Sequence, residues 1–282
     1  MAMKKLIITA DDYGMSPAVN QAIDKGIAAG LITSTNVMMN MPVCAEAAKL
    51  RDTNASVGLH WVLTCGKPVL PRERVPSLTA QDGYFYSGPE FRARYRRGLI
   101  RNEEIQLELT AQYERFSGLL GTPDYWNTHQ DVHVDFRIHK LFDSLAVSLG
   151  LIKMRSHQRV YVPESSSGKG RSLTWRLAEP VKSSLLNAWQ RQAHRKGIAS
   201  PEGLITPLSK EDRMCPEYLF PHIQWGEKQI AEYVIHPATA CDSPYFGQIA
   251  EKRIQEYRLF TSPTTEAVLR DCGIGLVSYS AL

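Results

Sequence analysis

The apolar run LIITA near the start of this 282-residue sequence ends in two adjacent carboxylates, Asp11 and Asp12, and passes straight into a Tyr-Gly turn. Successive side chains on an extended strand point to opposite sides. Such a pair can therefore divide its labour, one carboxylate holding a metal ion while the other handles protons. Histidines recur at similar places: His60 in VGLHWVL, His129 and His133 after DYWNT, and His236 closing EYVI. One aspartate with two histidines is a common ligand set for a divalent ion, leaving positions open for water and substrate. Zinc or magnesium suits that set first, with manganese or cobalt as alternatives.

Each of these residues also has a plainer reading. His60 alone, in an apolar strand, is more often a hydrogen-bonded core histidine than a ligand. The HxxxH spacing of His129 and His133 suits a helix, but Asn127 and Thr128 read as the end of a strand, where that spacing promises less. Trp61 and Trp126 adjoin the suspected ligands, where an indole can stack on a sugar ring or simply pack the core. Together, the acids and histidines favour an assembled metal site over a scatter of core residues.

The elements needed to assemble them are legible as alternating apolar runs and helical periods. KLIITA reads as a strand, then PAVNQAIDKGIAAG as a helix with Val19, Ile23 and Ile27 on one face and Ser16 as its N-cap before Pro17. LITSTNVMMN, PVCAEAAKLRD and SVGLHWVLT continue as strand, helix and strand. A helix is expected over Asn102 to Leu120, and others over Phe136 to Leu149, Val181 to Lys196 and Thr264 to Asp271; DYWNTH, LIKMRSH, AEYVIHP and GLVSYS are further strands. The alternation predicts an α/β fold, a distorted (β/α) barrel-like single domain over residues 1–282, with parallel strands inside and helices outside. In such a fold the strands' carboxyl ends share one face, so distant residues can meet there. Residues 162–224 lose the pattern and read as an insertion that caps the site.

Composition excludes other classes. With 43% hydrophobic and 22% charged residues and a net charge of +4, the chain reads as an ordinary globular protein with no nucleic-acid partner. The basic runs at Arg92 to Arg101 and Arg191 to Lys196 read as solvated helix faces, the alternative being a site for phosphate or an anionic head group. There is no secretory signal and no run long enough to span a bilayer, so a cytoplasmic location is expected. The five scattered cysteines read as free thiols. No GxGxxG, P-loop or GxSxG motif is present.

TADDYGMS, GLITSTNVMMN, VGLHWVLTCGKPVLP, NTHQDVH and VIHPA resemble, in order and spacing, the YdjC-like carbohydrate deacetylases, which include chitooligosaccharide deacetylase and hopanoid-associated HpnK-type proteins. The resemblance implies removal of an N-acetyl group from an amino sugar with one divalent ion. It makes Asp12, His60 and His129 the metal ligands, Asp11 the general base and His236 the general acid. His133, Trp61 and Asp242 are the substrate-binding candidates. Two departures stand out: the family's HHHVH run is His129-Gln130-Asp131-Val132-His133 here, and its HPG is HPA, followed by TACD with Asp242. The acceptor is left open between a free, nucleotide-linked or lipid-linked sugar, the last with peripheral membrane contact, and a homodimer is open too. Rival readings are a metal-dependent esterase or phosphoesterase, and a sugar-binding protein on the same fold.

Overall fold

The computed structural model describes residues 3–165, 173–208 and 214–282. Its frame is a parallel sheet built on β1 (Lys4–Tyr13), the central strand. On one side β1 pairs with β2 (Ser34–Val37), followed by β3 (Ser56–Trp61) and β4 (Trp126–Thr128). On the other side lie β7 (Ile230–Ile235), β6 (Gly203–Pro207) and β5 (Arg159–Val162), while β8 (Ile274–Leu276) joins the start of β1. Isolated parallel bridges, Trp126 to Met154 and Lys153 to Ala199, carry the ladder on from β4 towards β6 and curl the sheet into a distorted barrel. Because every strand pairing is parallel, the carboxyl ends converge on one rim.

Side-chain alternation separates two interiors. From β1, Leu6, Ile8 and Ala10 join the large apolar cluster beneath the helices, whereas Ile7 joins Tyr125 and Tyr279 in a small cluster inside the barrel. Gly58 on β3 makes room there: a Cβ at this position would lie 2.5 Å from the Tyr125 ring. The outer layer includes α1 (Pro17–Ala28), α2 (Gly88–Arg96), α3 (Asn102–Leu120), α4 (His139–Ser148), α5 (Leu173–Arg195), α6 (Pro216–Leu219), α7 (Ala250–Leu259) and α8 (Pro263–Asp271). Ser16 caps α1 as its sequence predicts, accepting from the Val19 N–H at 3.3 Å. Among the described residues, no helix is long and apolar enough to cross a membrane.

Three expectations change. Cys44–Asp52 forms 3-10 turns where a helix was expected; its buried residues Cys44, Ala47 and Leu50 recur every third position, the period at which 3-10 side chains eclipse. LIKMRSH contributes only isolated bridges at Lys153 and Met154, and the regular strand follows it as β5. Within 162–224, β6 pairs with both β5 and β7, so this stretch also builds the sheet. The Ser/Gly-rich part of that stretch, 166–172, lies outside the described residues.

Candidate active site

The site starts from a defect in β1. Its register against β2 shifts between Ala10 and Tyr13, and Asp12 adopts a left-handed φ of 75°. In an unbroken strand the two carboxylates would face opposite ways; the bulge turns Asp12 so that both serve one pocket at the rim. Gly14 (φ 98°) completes the turn, its N–H donating to Asn20 Oδ1 at 2.7 Å. Gln130 and Asp131, directly after His129, are also left-handed, at φ 56° and 50°. Among the described residues, the non-glycine residues with positive φ are thus a candidate ligand, Asp12, and the two that follow His129, where strain commonly marks function.

Asp12, His60 and His129 are buried, and their potential ligand atoms lie within 4.8 Å of one another. Asp12 Oδ1 is 3.3 Å from His60 Nε2 and 3.2 Å from His129 Nδ1. His60 Nε2 is buried without a hydrogen-bond partner, while the Asn127 side-chain amide meets the ring's other nitrogen at 2.6 Å. One carboxylate oxygen and two imidazole nitrogens, one of them buried without a hydrogen-bond partner, fit a single divalent ion. The charges agree. Burial pulls the His129 imidazole down, but the hydrogen bonds of Asp12 and Cys65 and the Asp12 charge outweigh it and raise the pKa to about 9. Burial pulls His60 down as well, but Asp12, the Asp11 charge and the Asn127 amide outweigh it and raise its imidazole. The pocket thus draws positive charge onto its histidines.

Asp11 has different company. Arg155 clasps it with both ends of the guanidinium, NH1 to Oδ2 at 2.8 Å and NH2 to Oδ1 at 2.6 Å, and Asn36 Nδ2 donates to Oδ1 at 2.6 Å. Arg155 Nε in turn reaches Glu232 Oε1 at 3.2 Å, and the Tyr279 hydroxyl donates to Glu232 Oε2 at 2.9 Å. Burial alone would raise the Asp11 pKa, but the charge and hydrogen bonds of Arg155 hold it far below the usual carboxylate range. Glu232 is pushed up by its burial despite Arg155. His236 Nε2 stands 3.8 Å from Asp11 Oδ2, and its side chain, at 27% exposure, opens the pocket to solvent. Burial pushes its imidazole down to about 4 against the pull of Asp12 and Asp11.

The five residues expected to do chemistry therefore converge, whereas the substrate-binding candidates do not join them. Trp61 is 1% exposed, its indole N–H donating to the Leu109 carbonyl at 3.0 Å beside Trp126 and Phe142. That is the core reading of the residue. His133 is fully buried, with Nδ1 2.5 Å from Thr128 Oγ1 and Nε2 2.7 Å from His157 Nε2. Asp242 accepts from the Ala18 N–H at 2.9 Å, holding the loop after β7 to the start of α1. Residues not singled out from the sequence complete the site: Asn36 and Asn127, which lie inside the quoted stretches GLITSTNVMMN and NTHQDVH, and Arg155, Glu232 and Arg253. Glu232 carried a signal of its own, an acid inside the apolar run of β7, where a buried charge needs a partner.

The profile of the YdjC-like protein family matches residues 5–271. This chain belongs to the YdjC-like family. It is 29% identical over 280 residues to a carbohydrate deacetylase of Geobacillus stearothermophilus, covering 97% of this chain and 96% of the relative. It is also 33% identical over 284 residues to a chitooligosaccharide deacetylase of Yersinia enterocolitica, covering 98% of each. The human carbohydrate deacetylase shares 35% over 303 residues, covering 99% and 91%. Among solved structures, a crystal structure of an Enterococcus faecalis V583 protein provisionally assigned to cellobiose-phosphate cleavage superposes with a TM-score of 0.74. Identity is 25%, with 99% of both chains covered. The two chains thus share the distorted-barrel fold described above.

Proposed function

We propose that this YdjC-like chain is a carbohydrate deacetylase that hydrolyses the N-acetyl group of an amino sugar with one divalent ion. The observation that carries the reading is the bulged Asp11-Asp12 pair, whose carboxylates share a pocket but have separate partners. Asp12, His60 and His129 would hold the ion. Bound there, it would supply a Lewis acid for the acetyl carbonyl and acidify the attacking water.

The chain's own residues supply the proton path. Asp11 is ionised at any working pH and oriented by Arg155 and Asn36, so it can accept the proton released as water adds to the carbonyl. A carboxylate so strongly stabilised is a weak resting place for that proton. His236, neutral at rest and 3.8 Å from Asp11 Oδ2, is the next station. From its Nε2 the proton goes to the departing nitrogen as the C–N bond breaks, giving acetate and the free amine. A protein that only bound sugar would need neither station, and a two-metal phosphoesterase would call for a second ligand group.

The substrate is an N-acetylated amino sugar, free or carried on a nucleotide or lipid. A cavity of about 490 Å³ lined by Arg92, Arg96, Arg159 and Lys182 also contains Gln130 and Asp131, the residues next to the ligand His129. Asp135 lines it too, with Arg96 paired to it at 3.7 Å, and Arg159 is paired to Glu179 at 3.1 Å. The four cations thus face Asp131 and Asp135 with a modest positive excess to offer an anionic portion of the substrate. Acetate release from free, nucleotide-linked and polyprenyl-phosphate-linked N-acetyl sugars tests the reading, using the wild type, Asp11→Asn and a chelated control. Metal-dependent release that disappears in the variant supports it. Metal binding without release from any acceptor would point to another acyl group or to sugar binding.

A further inference from the structure

Asp12 presents its oxygens to two different surroundings. Oδ1 faces His60 and His129, while Oδ2 accepts from Arg253 NH2 at 2.5 Å. Arg253 is 2% exposed and lies on α7, outside the barrel, with its guanidinium 4.7 Å from the Phe246 ring centroid. Two further contacts fix α7 against the rim. The Arg253 carbonyl accepts from the Ala238 N–H at 3.1 Å, and Glu256, three residues on, accepts from the His236 N–H at 2.7 Å. Residues at i and i+3 lie on one helical face, so this face of α7 reads both the ligand loop and the acid loop.

We infer that Arg253 is a positioning residue that keeps Asp12 a one-oxygen ligand, reserving Oδ2 for itself and leaving the remaining positions around the ion to water and substrate. The inference rests on Asp12, His60 and His129 being the metal site. Carboxylates bind divalent ions through one oxygen or two, and a buried carboxylate free of other partners is able to turn both towards the ion. A guanidinium donor on Oδ2 opposes that turn, and its positive charge opposes the ion itself. Removing Arg253 relieves both restraints, so the pocket should hold its ion more tightly and work less well.

The test is metal binding by the full chain, freed of metal and titrated with zinc or cobalt in a calorimeter. Arg253→Met should bind zinc roughly tenfold or more tighter than the wild type, the reverse of the loss of that size which removing a supporting partner of a ligand brings, and weaker binding would overturn the inference. The visible spectrum of its cobalt form should weaken as the coordination number rises. Arg253→Gln, which keeps an N–H donor but no charge, should shift both readouts in the same direction by less, and decides the matter if the Met variant does not fold. A purely structural role predicts an unchanged cobalt spectrum and equal losses of thermal stability with and without metal, and that result overturns the inference. Failure of the wild type to bind any ion would instead sink the metal-site reading beneath it.

Discussion

The two halves of the pocket lie one residue apart in sequence and differ in what surrounds them. On the inner side, Asp11 is enclosed by Arg155, Asn36 and, through Arg155, Glu232 and Tyr279, all within the barrel. Both of its oxygens are engaged by nitrogen donors. At the rim, Asp12 gives one oxygen to Arg253 and turns the other towards two imidazoles. The difference teaches how one strand end can supply two unlike carboxylates: a guanidinium offsets each charge, but only the bulged residue keeps an oxygen free of the guanidinium and within 3.3 Å of two imidazoles.

The sharpest way to break this comparison is to disable each half in turn. Asp12→Ala should abolish metal uptake in a calorimeter. Asp11→Asn should keep it while acetate release falls by roughly a hundred- to ten-thousandfold, the worth of a positioned proton acceptor. Equal metal loss in both variants would merge the halves into one ligand group.

Arg155→Met attacks the inner half alone. It leaves Asp11 and Glu232 buried without their cation and should lower stability in urea by about 3–5 kcal/mol, the cost of removing one partner of a buried pair. A loss near that of an exposed pair, about 1 kcal/mol or less, would mean that water compensates the barrel interior.

Acidity sharpens the contrast from the rim side. In the ion-free pocket the folded pKa of His129 is raised from an ordinary 6.5 to about 9. Its contribution is therefore fully present below about 6.5 and is lost as pH rises through about 9, a few kcal/mol in all. Metal ligation needs the neutral imidazole, so the loaded protein should show no such loss: its stability rises with pH only up to the unfolded value of about 6.5 and is level from there to about 9. Thermal unfolding with and without chelator gives the two slopes, and parallel slopes would remove His129 from the ligand set. The smallest expected effect concerns strain. Asp131→Gly relieves a left-handed φ, but glycine's greater loss of backbone freedom offsets most of the gain, so stability in urea unfolding should rise by only about 0.5 kcal/mol or less.

Local patterns in the sequence were read well where one physical cause acted alone. The helix over Asn102–Leu120 has the expected bounds because Ile105, Leu109 and Phe116 bury one face. The Ser16 cap and the positions of Asp11, His60, His129 and His236 at or near strand ends followed equally from local rules. Competing causes produced the differences. Cys44–Asp52 has helix-forming composition but a three-residue burial period. Trp61 beside a candidate ligand could face a sugar or the core, and only packing against Trp126 and Phe142 decides between them. His157 carried no motif, yet it meets His133 at 2.7 Å inside the fold.

By itself the sequence determined the alternation of strands and helices, and with it a rim where acids and histidines collect. These follow from periodicities of two and about 3.6 residues, which act over a few positions. The tertiary structure decided which way each carboxylate turns and what answers its charge. Asp12 faces the pocket because β1 bulges against β2, and its guanidinium comes from 241 residues away on α7; Asp11 finds its own 144 residues away. Burial demands a counter-charge but sets no limit on its distance along the chain, so those partners are fixed by the folded packing alone.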